Sequence, residues 1–128
     1  MNRMTRRQVL LTAALMSAAG LAAAQDGWPA KPVRMVVPFA PGGSTDVVAR
    51  MVGQKLATLW GQPVVIENRA GAGGNVGADV VAKSPGDGYT LLMASGSVTI
   101  NPALYKKMPF DTRKDLMPIT NVAQGPID

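Results

Sequence analysis

The 128-residue chain contains no cysteine and no histidine. The first absence excludes disulfide frameworks, Cys-based zinc sites and thiol nucleophiles. The second removes every histidine-dependent triad and the usual general base near neutral pH. Charged residues are sparse at 16% and aromatic ones at 5%, while apolar residues make up 47%. That balance indicates a packed core rather than a disordered chain. Glycine and proline are abundant, at 14 and 10, so turns are many. The length allows one domain.

Acid is also missing from one end. No Asp or Glu precedes Asp26, whereas Arg3, Arg6 and Arg7 crowd the start. An Ala/Leu-rich run over residues 9–21 follows, and Ala22-Ala23-Ala24 has the small-x-small pattern of a processing site. Residues 1–24 therefore read as a cleavable export signal, and residues 25–128 as a soluble periplasmic product. A membrane span needs about 20 apolar residues; this run is shorter and contains Ser17 and Gly20. Without cysteine there is no lipoprotein anchor. The paired Arg6-Arg7 leave the general and twin-arginine export routes both open. Removing residues 1–24 takes away 3 of the 13 basic groups and none of the 8 acids, so the net charge falls from +5 to +2. The case for a nucleic-acid partner largely disappears with it.

Residues 25–128 alternate between strand and helix patterns. A β-branched run over 33–38 predicts a buried strand entering a turn. The three- and four-residue spacing of Val47, Val48, Met51, Val52, Leu56, Leu59 and Trp60 predicts a helix with one apolar stripe. Ser44 or Thr45 can cap it and Gly61 can end it. Residues 64–67 read as a second strand, and 75–83 as a second helix with Val76, Val80 and Val81 inward. Residues 89–94 read as a third strand, broken by Ser95-Gly96-Ser97; a short helix is expected over 103–106 and a fourth strand over 117–123. This order implies an α/β fold, a parallel sheet with crossover helices.

Two glycine-rich loops carry the chemical interest. Pro38-Phe39-Ala40-Pro41-Gly42-Gly43-Ser44-Thr45-Asp46 and Arg69-Ala70-Gly71-Ala72-Gly73-Gly74-Asn75 each join a strand to a helix. In a parallel sheet both open at the carboxyl edge, where ligands of α/β proteins lie. Helix starts offer unpaired N–H groups and about half a positive charge, so the two together can hold a carboxylate without a cationic side chain. Turn formation alone also accounts for the Gly and Pro in either loop. For Asp46 the simpler role is first-turn helix stabilisation. The alternatives are fixing the loop by accepting backbone N–H bonds, or holding an amino group of the ligand. Arg69 can meet a ligand carboxylate, pair with Glu67 or face water, and Phe39 can wall the crevice or fill core.

Phosphate and hydrolase motifs fail on spacing. Neither loop has the lysine of a Walker A sequence, and Gly71, Gly73 and Gly77 miss the dinucleotide fingerprint by one residue. Gly42-Gly43-Ser44-Thr45-Asp46 is not a nucleophile elbow, since position 46 is not glycine and no histidine can activate Ser44. A phosphate- or nucleotide-binding lobe of an α/β enzyme stays as the alternative reading. No catalytic residue, metal site or cofactor is expected.

The two loop sequences, together with Ser84-Pro85-Gly86-Asp87-Gly88-Tyr89-Thr90-Leu91-Leu92 and Asn101-Pro102-Ala103-Leu104-Tyr105, resemble the Bug receptors of tripartite tricarboxylate transporters. Phe110-Asp111, Asp115-Leu116 and Pro118-Ile119 continue the likeness across residues 25–128. The resemblance implies a partial lobe of a class II periplasmic binding protein. It implies a monomeric receptor that closes on a small carboxylate and hands it to membrane permease subunits. It places the ligand carboxylate on Phe39, Ala40, Gly42, Gly43, Ser44, Thr45 and Asp46 of the first loop and on Ala72, Gly73, Gly74 and Asn75 of the second, largely through main-chain groups and bridging waters. Ser95, with Ser97 and Thr99, follows the third strand and lines the same cleft or caps its own loop. Family members are much longer, with a second lobe and a chain return. The sequence therefore reads as the amino-terminal part of lobe 1, expected to bind ligand weakly or not at all alone.

Overall fold

The run Val33-Arg34-Met35-Val36-Val37 becomes the central strand of a parallel sheet, β1 (Val33–Val37), in the computed structural model, which describes residues 27–124. The proposed export segment lies outside the described residues. The chain divides into two units after Ala30. The described residues of the first, 27–30, form no helix or strand and include a cis Trp28–Pro29 bond. Everything below concerns the second.

β1 is flanked by β2 (Val64–Asn68) and β3 (Thr90–Leu92), giving the order β2-β1-β3. Both pairings are parallel, with Val33 opposite Val64 and Met35 opposite Leu91. Two helices cross between the strands, α1 (Ser44–Trp60) and α2 (Asn75–Ala82), and a third, α3 (Ser97–Leu104), follows β3. Alternate residues of β1 point to opposite faces. Met35 and Val37 join Ala49, Val52 and Leu56 of α1 on one face. On the other, Leu92 packs with Ala78 of α2, Val98 of α3 and Phe110. A strand covered on both sides needs a continuous apolar run. Val33, Val36 and Val37 are fully buried, each stabilising the fold by about 1.5–3 kcal/mol.

The predicted parallel sheet with crossover helices is what the chain forms. Several details differ. The wide stripe expected on α1 is narrower in fact: Val47, Met51 and Leu59 are exposed, and Ala49 and Gly53 take the inward positions. The reason is proximity. A Cβ on Gly53 would lie 3.0 Å from Ile66 Cδ1, so the helix sits too close to β2 for anything larger. The same holds for α2, where Asn75, Gly77 and Ala78 face inward and Val76 is exposed. A Cβ on Gly77 would come within 2.8 Å of Pro38 Cα and 2.9 Å of the Arg69 carbonyl. Ser95-Gly96-Ser97 does not merely break β3. It opens α3, which begins at Ser97, ahead of the helix expected over 103–106, with Pro102 inside it. The fourth strand expected over 117–123 is not formed. These residues are exposed coil that pairs with no strand, and Pro118 among them lacks a ladder donor. No helix among the described residues is long and apolar enough to cross a membrane.

Candidate functional site

Parallel strands bring their carboxyl ends to one edge, so the connections β1–α1, β2–α2 and β3–α3 all leave the sheet there. Loop 1, residues 38–43, is held by Asp46, only 2% exposed. Asp46 Oδ2 accepts the Gly42 N–H at 2.9 Å and Arg50 Nε–H at 2.9 Å, while Oδ1 accepts from Asn68 Nδ2 at 2.8 Å. The same Asn68 amide donates to the Phe39 carbonyl at 3.1 Å. Loop 1 is therefore tied to the end of β2. The Arg50 hydrogen bond first, then the Gly42 N–H and Asn68, hold the Asp46 carboxyl well below the usual carboxylate range. Of the roles considered for Asp46, the structure shows loop fixing: both oxygens are occupied by protein donors. Gly43 stands at the N-cap with no side chain to cap the helix, and the first intrahelical bond runs from Val47 N–H to the Gly43 carbonyl. The N–H groups of Ser44, Thr45 and Asp46 consequently have no acceptor within the helix.

Loop 2, residues 69–74, differs from expectation. Gly74 N–H and Val76 N–H bond to the Gly71 carbonyl at 2.9 and 3.4 Å, and Asn75 N–H bonds to the Ala72 carbonyl. The start of α2 thus satisfies its own donors through a 3-10 turn, Ala72–Gly74. The N–H groups of Ala72 and Gly73 are left without a protein acceptor. Positions 71–74 run through φ values of 140, 47, 64 and 95°. Glycine adopts these freely; Ala72 does so at a cost of about 1–2 kcal/mol. Backbone strain of this kind is concentrated where a protein holds a ligand or a switch.

Gly74 is where the three connections meet. A Cβ there would lie 3.4 Å from Ser97 Oγ, 3.5 Å from Phe39 Cζ and 3.5 Å from Pro38 Cβ. Phe39 is half-buried against the α1-side core and also borders this point. Ser95 Oγ lies 3.0 Å from Ser97 Oγ and accepts the Ser97 N–H at 3.4 Å, and Thr99 Oγ1–H donates to the Gly96 carbonyl at 2.7 Å. These are loop-capping bonds. Ala40, Gly42, Gly43 and Ser44 are exposed and Thr45 is half-buried; Ala72 and Gly73 are exposed, and Gly74 and Asn75 are buried. Arg69 does not reach into the edge, because its guanidinium pairs with Glu67, which also takes Arg34 at 3.3 Å. A hollow of about 850 Å³ lined by Thr99, Met108, Phe110 and Arg113 among others lies away from loop 1.

Asn68, Arg50 and Asn101 are structural partners of the loops that the sequence did not single out. The Asp46–Arg50 pair is legible as an i, i+4 spacing. Asn68 and Asn101 act across 22 and 28 residues, for which no local signal exists.

Residues 48–128 match the family described as tripartite tricarboxylate transporter family receptor. The chain belongs to that family. Among curated relatives of this receptor family it is 47% identical to protein BugT of Bordetella pertussis over 116 residues, 88% of this chain and 36% of the relative. It is 40% identical to a protein encoded in the tcbD-tcbE intergenic region of Pseudomonas sp., over 94% of this chain and 37% of the relative. The chain thus spans a little over a third of the length of these receptor relatives. Among solved structures it is similar to the periplasmic binding protein BugD, at 41% identity and a TM-score of 0.66, over 69% of this chain and 29% of that one. MatC from Rhodopseudomonas palustris with bound malate is similar at 41% identity and a TM-score of 0.59, over 69% of this chain and 30% of that one. The α/β arrangement is accordingly part of one lobe of a periplasmic binding protein.

Proposed function

We propose that this chain is the carboxylate-anchoring part of a periplasmic solute receptor that delivers a small carboxylate to membrane permease subunits of a tripartite tricarboxylate transporter, and that it has no catalytic role. The observation that carries the reading is the meeting of Phe39, Gly74 and Ser97, from three strand-to-helix connections, beside main-chain donors without protein acceptors. The donors are the N–H groups of Ser44 and Thr45 in loop 1 and of Ala72 and Gly73 in loop 2. A carboxylate takes several such bonds at once, and charge-assisted ones are about twice as strong as neutral ones. Ala40, Gly42 and Gly43 give the ligand close access to the backbone, Ser95 offers a hydroxyl, and Asp46 and Asn75 hold the loops from beneath. The similar structure of MatC with bound malate supports a dicarboxylate as the ligand class. Selection among carboxylates falls outside the described residues, since main-chain amides distinguish one carboxylate from another poorly. Export to the periplasm rests on the arginine-led segment at the start of the chain.

Amide-shift titration of the ¹⁵N-labelled chain with malate, adipate and AMP tests this. The expected result is shifts at Ser44, Thr45, Ala72 and Gly73 with either dicarboxylate, at an affinity near about 1 mM, equivalent to roughly 4 kcal/mol. Shifts with AMP alone would favour the phosphate-binding alternative. Dicarboxylate shifts confined to residues away from the two loops would overturn the proposed site.

A further inference from the structure

Loop 2 keeps an unfavourable backbone without help from its own side chains: three of its four left-handed positions are glycines and the fourth is Ala72. What restrains it comes from α3. Asn101 is 3% exposed, and its Nδ2 donates to the Gly73 carbonyl at 3.0 Å and to Asn75 Oδ1 at 2.7 Å. The two acceptors bracket the junction between the 3-10 turn and α2. Tyr105, at the end of α3, adds a steric limit, since its hydroxyl would lie 3.1 Å from a Cβ on Gly73. A buried amide that spends both hydrogens on one loop acts as a clamp. Asn101 thus holds the Gly73–Gly74 peptide, whose N–H bonds to the Gly71 carbonyl, while the neighbouring N–H groups of Ala72 and Gly73 have no protein acceptor.

We infer that Asn101 is a positioning residue, clamping loop 2 in its left-handed conformation so that the Ala72 and Gly73 N–H groups stay presented as anion donors. The use of those donors for a carboxylate rests on the function proposed above; the clamp itself does not. Hydrogen exchange of the ligand-free chain separates the two. In Asn101→Ala and in the near-isosteric Asn101→Asp, whose ionised carboxylate cannot donate, the Gly74, Asn75 and Val76 amides are expected to exchange at least about tenfold faster than in the unmodified chain. The Val36 amide in β1 should keep its rate. Unchanged exchange at the three loop amides would overturn the clamp, and so would an equal rise at Val36, which marks general loss of stability. A parallel malate titration of the unmodified chain reports on the receptor reading alone. Where malate binds, Asn101→Ala should weaken it about tenfold, with no compensating effect from Tyr105→Phe. Absence of malate binding would count against the receptor reading and leave the exchange result on the clamp standing.

Discussion

Asp46 shows how one residue joins local and distant structure. Its carboxylate sits in the first turn of α1, where the helix field favours negative charge, yet its partners come from loop 1, from one turn further along α1 and from the end of β2. Because these donors favour the ionised form, the folded chain binds a proton at this site less readily than the unfolded chain, whose value lies near the ordinary 3.8. Unfolded chains then hold more protons in the acid range, so stability rises with pH there and is complete above about pH 5. Asp111, lowered first by the Arg113 N–H, acts in the same sense. The urea midpoint should stay level from neutral pH to about pH 5 and fall as acid is added below about pH 4. Asp46→Asn should lower the midpoint at pH 7 and make the acid fall shallower, whereas Asp111→Asn should keep most of the slope. An acid slope identical in Asp46→Asn and the parent would contradict this account.

At the scale of elements, what was legible was whatever leaves a local trace. The valine-rich run at 33–37 marks a strand buried on both faces, and the turn residues before Ser44 and Asn75 mark where helices begin. Which face of a helix is buried was less legible. The larger side chains at Val47, Met51 and Val76 suggested the inward side, but the close sheet selects Ala49, Gly53, Gly77 and Ala78. The start of α3 was missed because Ser95-Gly96-Ser97 reads equally as a turn and as a helix entry. The fourth strand failed for a different reason: extended residues become a strand only when a neighbour supplies the ladder, and residues 117–123 have none. Substitutions there should therefore be close to silent. Ile119→Pro is expected to change unfolding stability by no more than about 0.5 kcal/mol, while Val36→Ala, which opens a cavity in the central strand, should cost roughly 2 kcal/mol. Chemical denaturation of both variants checks the pair, and a cost of several kcal/mol for Ile119→Pro would restore the strand.

Across the whole molecule, the proposed function leaves anion recognition to the backbone, and the fold is consistent with side-chain charge not being needed for it. The cations nearest the carboxyl edge are already engaged, Arg50 with Asp46 and Arg69 with Glu67. The Asn68 and Asn101 amides lock the two loops from different elements, a long-range arrangement that no spacing in the sequence announces. This division of labour predicts opposite results for two substitutions. Ser44 is the first residue of α1, where proline is well tolerated, and Gly43 before it has φ −75° and ψ 168°, the extended geometry a following proline requires. Ser44→Pro therefore deletes one donor while the helix keeps its start. A hydrogen bond to a charged group contributes about 1.5–3 kcal/mol, so dicarboxylate affinity should fall by roughly one to two orders of magnitude. Thermal stability should be unchanged or slightly raised, because proline restricts the unfolded chain. Arg69→Gln, which removes a full positive charge a few residues from the site, should alter the affinity by no more than about twofold, since an exposed ion pair contributes little. Titration of both variants with malate decides the matter. A large loss in Arg69→Gln with none in Ser44→Pro would mean that a cationic side chain, rather than the helix start, holds the anion.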